Sequence, residues 1–208
     1  MNLVESDIPK ALLSVVPAEI AIKGSMLQVE KNTYLFHCGE NSDYLYFVIK
    51  GELRAIRYQL SGQKSTLMRA TNYEFFATSS LCLDTYSCDG FAPVKTILWR
   101  IPKDKFYQSL GVSATLGKQF SLALSKELKK QCGRVERLRL KTIQERILHF
   151  INCEAPDGIT LGLNIPLLVW AEELCVEPES LYRTLANMEN IGLIKRNRRR
   201  IRILKSKK

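Results

Sequence analysis

With 208 residues, 46% hydrophobic and 25% charged, the chain can bury the core of one large or two small domains, which excludes a disordered tail. It has no run of about eighteen apolar residues, which excludes a spanning helix; its early apolar stretch is broken by Lys10, Pro17 and Glu19 and makes a poor signal-peptide core. The net charge of +10 is uneven: residues 1–111 carry +1, 112–138 carry +4 and 139–208 carry +5, so a polyanion-binding C-terminal module is expected behind a nearly neutral N-terminal one, against the plainer reading of a generally basic surface.

Residues 20–106 read as short strands. MLQVE, TYLFHC, YLYFVI, LRAIRY and TILWRI are rich in β-branched and aromatic residues. Turn clusters separate them, at 39–41, 50–51, 61–63 and 89–90. Many short strands at close spacing predict an antiparallel sandwich or barrel. From Lys103 to Leu140 there is no proline, and Ala114–Leu138 predicts a helix of about seven turns. Ala114, Gly117, Ser121, Leu124, Leu128, Gln131, Val135 and Leu138 alternate steps of three and four along it. That is the a/d pattern of a helix pair, and Leu124, Leu128, Val135 and Leu138 are the candidate dimer seam. A second apolar line, Leu116, Phe120 and Ala123, suits contact with the strand-rich half. A helix packed only within its own chain is the competing reading.

Beyond it, Ile143–Ile151 predicts a short amphipathic helix, and ITLGLNI is strand-like. Pro166–Leu174 and Pro178–Ile191 predict two helices parted by a break at Cys175-Val176-Glu177, the form of a helix-turn-helix. Pro178 suits the first helical position, where a missing N–H costs nothing. Leu181, Leu185 and Met188 recur at i, i+4 and i+7 and should face inward. Glu179, Ser180 and Arg183 can then point away, and the first turns of such a helix reach base edges in the major groove. Arg183 can fork two N–H donors onto guanine, Glu179 can accept from cytosine or orient Arg183, and Ser180 can meet a base or a phosphate. An exposed i, i+4 ion pair of about 0.2–0.5 kcal/mol is the alternative for Glu179 and Arg183. The segment LIKRNRRRIRIL predicts two strands, and nine of the fourteen residues 195–208 are Lys or Arg. The second helix carries more acid than base, so phosphate attraction falls to Lys195, Arg196, Arg198, Arg199, Arg200 and Arg202.

At this point the sequence resembles the Crp/Fnr family of bacterial transcription regulators over about residues 20–205. The segment TYLFHCGENSDYLYFVIKGELRAIR, with Gly39, Glu40 and Gly51, matches the family's cyclic-nucleotide-binding β-roll. The segment LYRTLANMENIGLI and the preceding Glu179-Ser180 match its DNA-reading helix. The resemblance implies an α+β fold: an N-terminal antiparallel, jelly-roll-like β-roll at 1–111, a long central dimerisation helix at 112–138 and a C-terminal winged helix-turn-helix at 139–208. It implies a cytoplasmic, DNA-binding transcription regulator acting as a homodimer on double-stranded DNA, with RNA polymerase as a further candidate partner and no membrane.

Three departures bear on what can be carried over. Where the family's nucleotide binders have Phe-Gly-Glu and Arg-[ST]-Ala, this chain has Phe76-Ala77-Thr78 and Tyr86-Ser87-Cys88. A cyclic nucleotide would bury its phosphate without those partners, which is costly, so no cyclic AMP binding is expected; Lys95 and Arg69 are candidate replacements. The arginine that opens the family's reading helix is Pro178, and the glycine of its turn is Cys175. No cofactor is expected; haem ligation by a cysteine or histidine stays open. The six cysteines form no C-x-x-C pair, so no metal site is expected, and no catalytic residues are evident, so the chain is not read as an enzyme. The competing class is a β-roll sensor or protein-interaction module whose basic C-terminus binds RNA or acidic surfaces.

Overall fold

The strand-rich half of the sequence folds as two antiparallel four-stranded sheets. The strands are β1 (Ser25–Val29), β2 (Thr33–Phe36), β3 (Tyr44–Lys50), β4 (Glu52–Tyr58), β5 (Lys64–Thr71), β6 (Phe75–Phe76), β7 (Asp89–Ala92) and β8 (Thr96–Pro102). One sheet runs β1-β8-β3-β6 and the other β2-β7-β4-β5. This is a computed structural model, which describes residues 8–58, 62, 64–163, 165–197 and 200–204.

Phe36, Val48, Leu53, Phe76, Tyr86 and Leu98 belong to one buried cluster drawn from both sheets. Leu45, Phe47, Trp99 and Ile101, from the alternate positions of β3 and β8, join a second. Four helices contribute to that second cluster: α1 (Lys10–Leu13), α2 (Ala18–Ala21), α3 (Lys103–Val112) and the first turns of α4 (Ala114–Arg139). Burial on both faces explains why β3 and β8 read as continuous apolar runs instead of strict alternations. Trp99 shows both ends of its character: its ring is fully buried and its Nε1–H donates to the Ala21 carbonyl at 2.9 Å. The second apolar line of α4 also lies here, with Leu116 and Phe120 buried and Ala123 against them.

The expected strands are present, and three more appear, β5, β6 and β7. β5 lies at a sheet edge with a mostly half-exposed pattern, so its residues carry no clean alternation. The Asp89-Gly90 pair, expected as a turn, lies inside β7 instead. Gly90 is there for close approach: a Cβ would meet the Phe36 ring at 2.8 Å. At Gly51 the β3–β4 turn does need φ of +113°, and its N–H donates to Asn72 Oδ1 at 2.8 Å.

The second half contains α5 (Ile143–Glu154), β9 (Thr160–Gly162), α6 (Leu167–Leu174), α7 (Pro178–Asn190), β10 (Ile194–Asn197) and β11 (Arg200–Ile203). The sheet order is β10-β11-β9, all antiparallel. Its core gathers Ile147, Ile151, Trp170, Leu181, Leu185 and Met188. Thr142 and Glu145 close a capping box at the start of α5, the Thr142 hydroxyl accepting from the Glu145 N–H and the Glu145 carboxylate from the Thr142 N–H. The chain divides into two compact units, the first ending at Ser125 and the second beginning at Lys126, so the division falls inside α4. The architecture is α+β, as expected. No helix among the described residues is long and apolar enough to cross a membrane.

Candidate nucleic-acid interface

The C-terminal unit presents α7 beside a basic hairpin. Glu177, in extended conformation, precedes α7, and Pro178 occupies its first turn. Leu181, Leu185 and Met188 are fully buried and fix which face is left over. On that face Glu179 and Arg183 are exposed, Ser180 is half-buried and Tyr182 is 48% exposed. Neither the Glu179 nor the Arg183 side chain has a hydrogen bond or ion pair among the described residues. The i, i+4 pair therefore does not close on itself, and both groups keep their bonding capacity. Tyr182 was not picked out by sequence reasoning; its position between Leu181 and Arg183 on a helix of 3.6 period was the available signal.

The turn before α7 is held from three sides. Cys175 takes a left-handed conformation, φ 53° and ψ 51°, where the family pattern has glycine. Val176 N–H donates back to the Ala171 carbonyl at 3.0 Å. Arg146, on α5, donates from Nη1 to the carbonyls of Leu174 at 3.2 Å and Cys175 at 3.1 Å, and from Nε to the Leu140 carbonyl at 3.2 Å. One guanidinium thus satisfies orphan carbonyls at the end of α6 and ties them to the connection before α5. Sequence reasoning missed Arg146, because its partners lie up to 29 positions away.

The hairpin sorts its charges by face. In the β10–β11 register Lys195 stands opposite Arg202 and Asn197 opposite Arg200, and all four are exposed. Ile194 and Ile201 are buried on the other face. Like charges directly opposite one another destabilise a strand pair, so this face gains from an anion laid across it. Arg196 lies on the inner face with a different partner. Its Nη2 and Nε each lie 2.9 Å from Glu189 Oε2, and its backbone N–H donates to Glu189 Oε1 at 3.0 Å. Its charge is committed to the end of α7, and it anchors the hairpin there. The backbone N–H first, then the guanidinium, hold the Glu189 carboxyl below the usual carboxylate range. Arg198 and Arg199 lie outside the described residues.

On α4 the candidate seam residues Leu124, Leu128, Val135 and Leu138 are 41%, 65%, 60% and 50% exposed. Leu122, off the a/d line, is 50% exposed as well.

In the β-roll, Phe76, Ala77, Tyr86, Ser87 and Cys88 line one small cavity with Phe36, Ala55, Met68, Ser79 and Ser80. These are the residues standing where nucleotide binders carry their phosphate cassette. The cavity is about 30 Å³, enough for about one water. Aromatic rings occupy the neighbourhood: Phe36 stacks on Tyr86 with centroids 3.6 Å apart. Both candidate replacement cations have carboxylate partners. Arg69 Nη2 lies 2.7 Å from Glu52 Oε2, and Lys95 Nζ lies 3.3 Å from Glu30 Oε1. Burial pushes the Glu52 carboxyl up, but the hydrogen bonds from Arg69 and Arg54 outweigh it and hold it below its ordinary value. Among the described residues one mixed group of His, Cys and acid side chains is close enough to share a cation: Glu136, His149 and Cys153.

The model of the cyclic nucleotide-binding domain family matches residues 26–111. A protein named global nitrogen regulator, from Synechococcus elongatus, is 22% identical over 188 residues, covering 85% of this chain and 84% of that one. Among solved structures, a mutant of CooA from Carboxydothermus hydrogenoformans superposes with a TM-score of 0.74 at 17% identity, covering 98% of this chain and 91% of that one. A CRP-family transcriptional regulator from Thermus thermophilus gives 0.60 at 16% identity, covering 86% and 91%. The resemblance read from the sequence therefore holds at the level of fold: the N-terminal half matches a cyclic nucleotide-binding domain, and the chain as a whole folds like these solved regulators.

Proposed function

We propose that the chain is a sequence-specific DNA-binding transcription regulator of the cytoplasm, not an enzyme, which acts as a homodimer joined along α4 and does not respond to cyclic AMP. The observation that carries this reading is the exposed, unpartnered Arg183 on the first turns of α7, one turn after an equally unpartnered Glu179. Arg183 reads guanine, Glu179 accepts from a base amino group or steers Arg183, and Ser180 meets a base or a phosphate. Lys195, Arg200 and Arg202 on the outer face of the hairpin, with Arg198 and Arg199, supply phosphate contacts that position the helix without reading sequence. Arg196 serves indirectly, by fixing the hairpin to α7. The small, ring-filled cavity supports the absence of a cyclic AMP response, since ligand pockets commonly measure about 300–1,000 Å³. Regulation then lies in another ligand, which shifts the population between dimer states, or in the protein's abundance.

Random-site selection with purified protein, run with and without cyclic AMP, tests the reading. The wild type should select one motif, the same in both conditions. Arg183→Ala should flatten base preference at one position per half-site by about 1–3 kcal/mol. Neutralising Arg200 and Arg202 should weaken all sequences alike and reduce the salt slope. An unchanged profile for Arg183→Ala sinks the base-reading role. Binding with equal strength to every DNA and RNA offered favours instead a non-specific basic module on a β-roll sensor.

A further inference from the structure

We propose that Glu136, His149 and Cys153 form a site for a divalent cation of the zinc class, which clamps the end of α4 to α5. His149 and Cys153 are four residues apart on one face of α5, and Glu136 reaches them from α4 across the short connection at 140–142. His149 Nε2 lies 3.0 Å from Glu136 Oε2 and 3.8 Å from Cys153 Sγ, and the three ligand atoms are all within 4.8 Å of one another. Bonds of about 2.0–2.2 Å from zinc to nitrogen and oxygen, and about 2.3 Å to sulfur, place tetrahedral ligand atoms roughly 3.3–3.7 Å apart. The three atoms need only small side-chain adjustments to meet that spacing.

Without a metal the three groups meet only in pairs, His149 Nε2 with Glu136 and His149 Nδ1 with the Cys153 thiol at 3.6 Å. A cation uses all three, and the mixed nitrogen, sulfur and oxygen set suits zinc, cobalt or nickel rather than magnesium or calcium. The site is reachable, because the Glu136 side chain is 65% exposed while His149 is 23% exposed. Three protein ligands leave a fourth position for water, so the metal can exchange. The charges also balance, since one carboxylate and one thiolate neutralise a dication. Cys153 would bind the metal as its thiolate, so loading releases its proton.

The full chain, reduced and stripped with chelator, would be titrated with Co²⁺ alone as the probe. The expected result is one Co²⁺ per chain with a thiolate-to-cobalt charge-transfer band, displaced by Zn²⁺. The band should vanish in Cys153→Ser and persist in Cys132→Ser, the other cysteine on α4 or α5. His149→Gln and Glu136→Gln should each weaken binding at least about 10-fold, the smallest loss typical even of outer-shell partners. X-ray absorption of the wild-type zinc form should count one sulfur among nitrogen and oxygen ligands, a readout that needs no variant to fold. No stoichiometric band, a full band in Cys153→Ser, or no sulfur at the zinc overturns the proposal. No DNA enters the assay, so its outcome is independent of the base-reading role of α7.

Discussion

Cys175 holds a left-handed backbone at the point where α6 turns into α7. A side chain in that conformation costs about 1 kcal/mol or slightly more, because its Cβ crowds the carbonyl that follows. The residue is solvent-exposed, so glycine would lose little packing. Cys175→Gly should therefore raise stability by about 1 kcal/mol, read as a higher midpoint in thermal or urea unfolding; an unchanged or lower midpoint would mean that the turn relaxes when its side chain is removed. The turn itself was legible, since the break between two apolar helices and Pro178 after it mark the place. The role of Arg146 was not. Its value lies in three carbonyls that only tertiary folding brings within reach, and nothing in its neighbours along the chain distinguishes it from a solvated arginine. His149 and Cys153 fall between these cases: their spacing is visible on one helix, but Glu136 joins them only once α4 and α5 are packed.

The β10–β11 hairpin is where an element-scale contact positions the proposed DNA-facing surface. Glu189 receives the Arg196 N–H and guanidinium, and this joins the end of α7 to β10. The Glu189 carboxyl is held below its unfolded value, so its contribution is fully present above the ordinary carboxylate range and is lost as pH falls through the depressed folded value. Amide-exchange protection of the Arg196 N–H should therefore drop in acid before the rest of the unit opens. In Glu189→Gln that protection should be low already at neutral pH and should no longer follow the carboxylate. Equal protection in both proteins across the range would show that the pair does not hold the wing. The two strands were legible from alternating Ile201 and Ile203, but the difference between Arg196 and its basic neighbours was not. Burial alternates along β10, and only the register with β11 shows that Lys195 faces out while Arg196 faces α7.

For the whole molecule the consequential feature is the apolar line that α4 leaves uncovered. Its 26 residues span about 39 Å, and Leu128 and Val135 are more than half exposed. Burying each such side chain is worth about 1.5–3 kcal/mol, which favours a second copy over water. On the proposed homodimer, Leu128→Glu combined with Val135→Glu should lower the sedimenting mass from two chains to one, with the far-ultraviolet helix signal kept; a wild type that is already a monomer overturns the homodimer, and a variant that stays dimeric moves the interface elsewhere. The a/d spacing makes this line legible in the sequence alone. The β-roll was legible as a strand-rich unit, whereas α3 and the short helices α1 and α2 were not, because their few apolar residues are shared between covering a sheet and lining a loop. The order β10-β11-β9 carries one further meaning. The last described strand, Arg200–Ile203, is the middle one, flanked on one side by a strand made some forty residues earlier. During synthesis the sheet stays unclosed until residue 203 has cleared the ribosomal exit, so nascent and truncated chains lack its central strand.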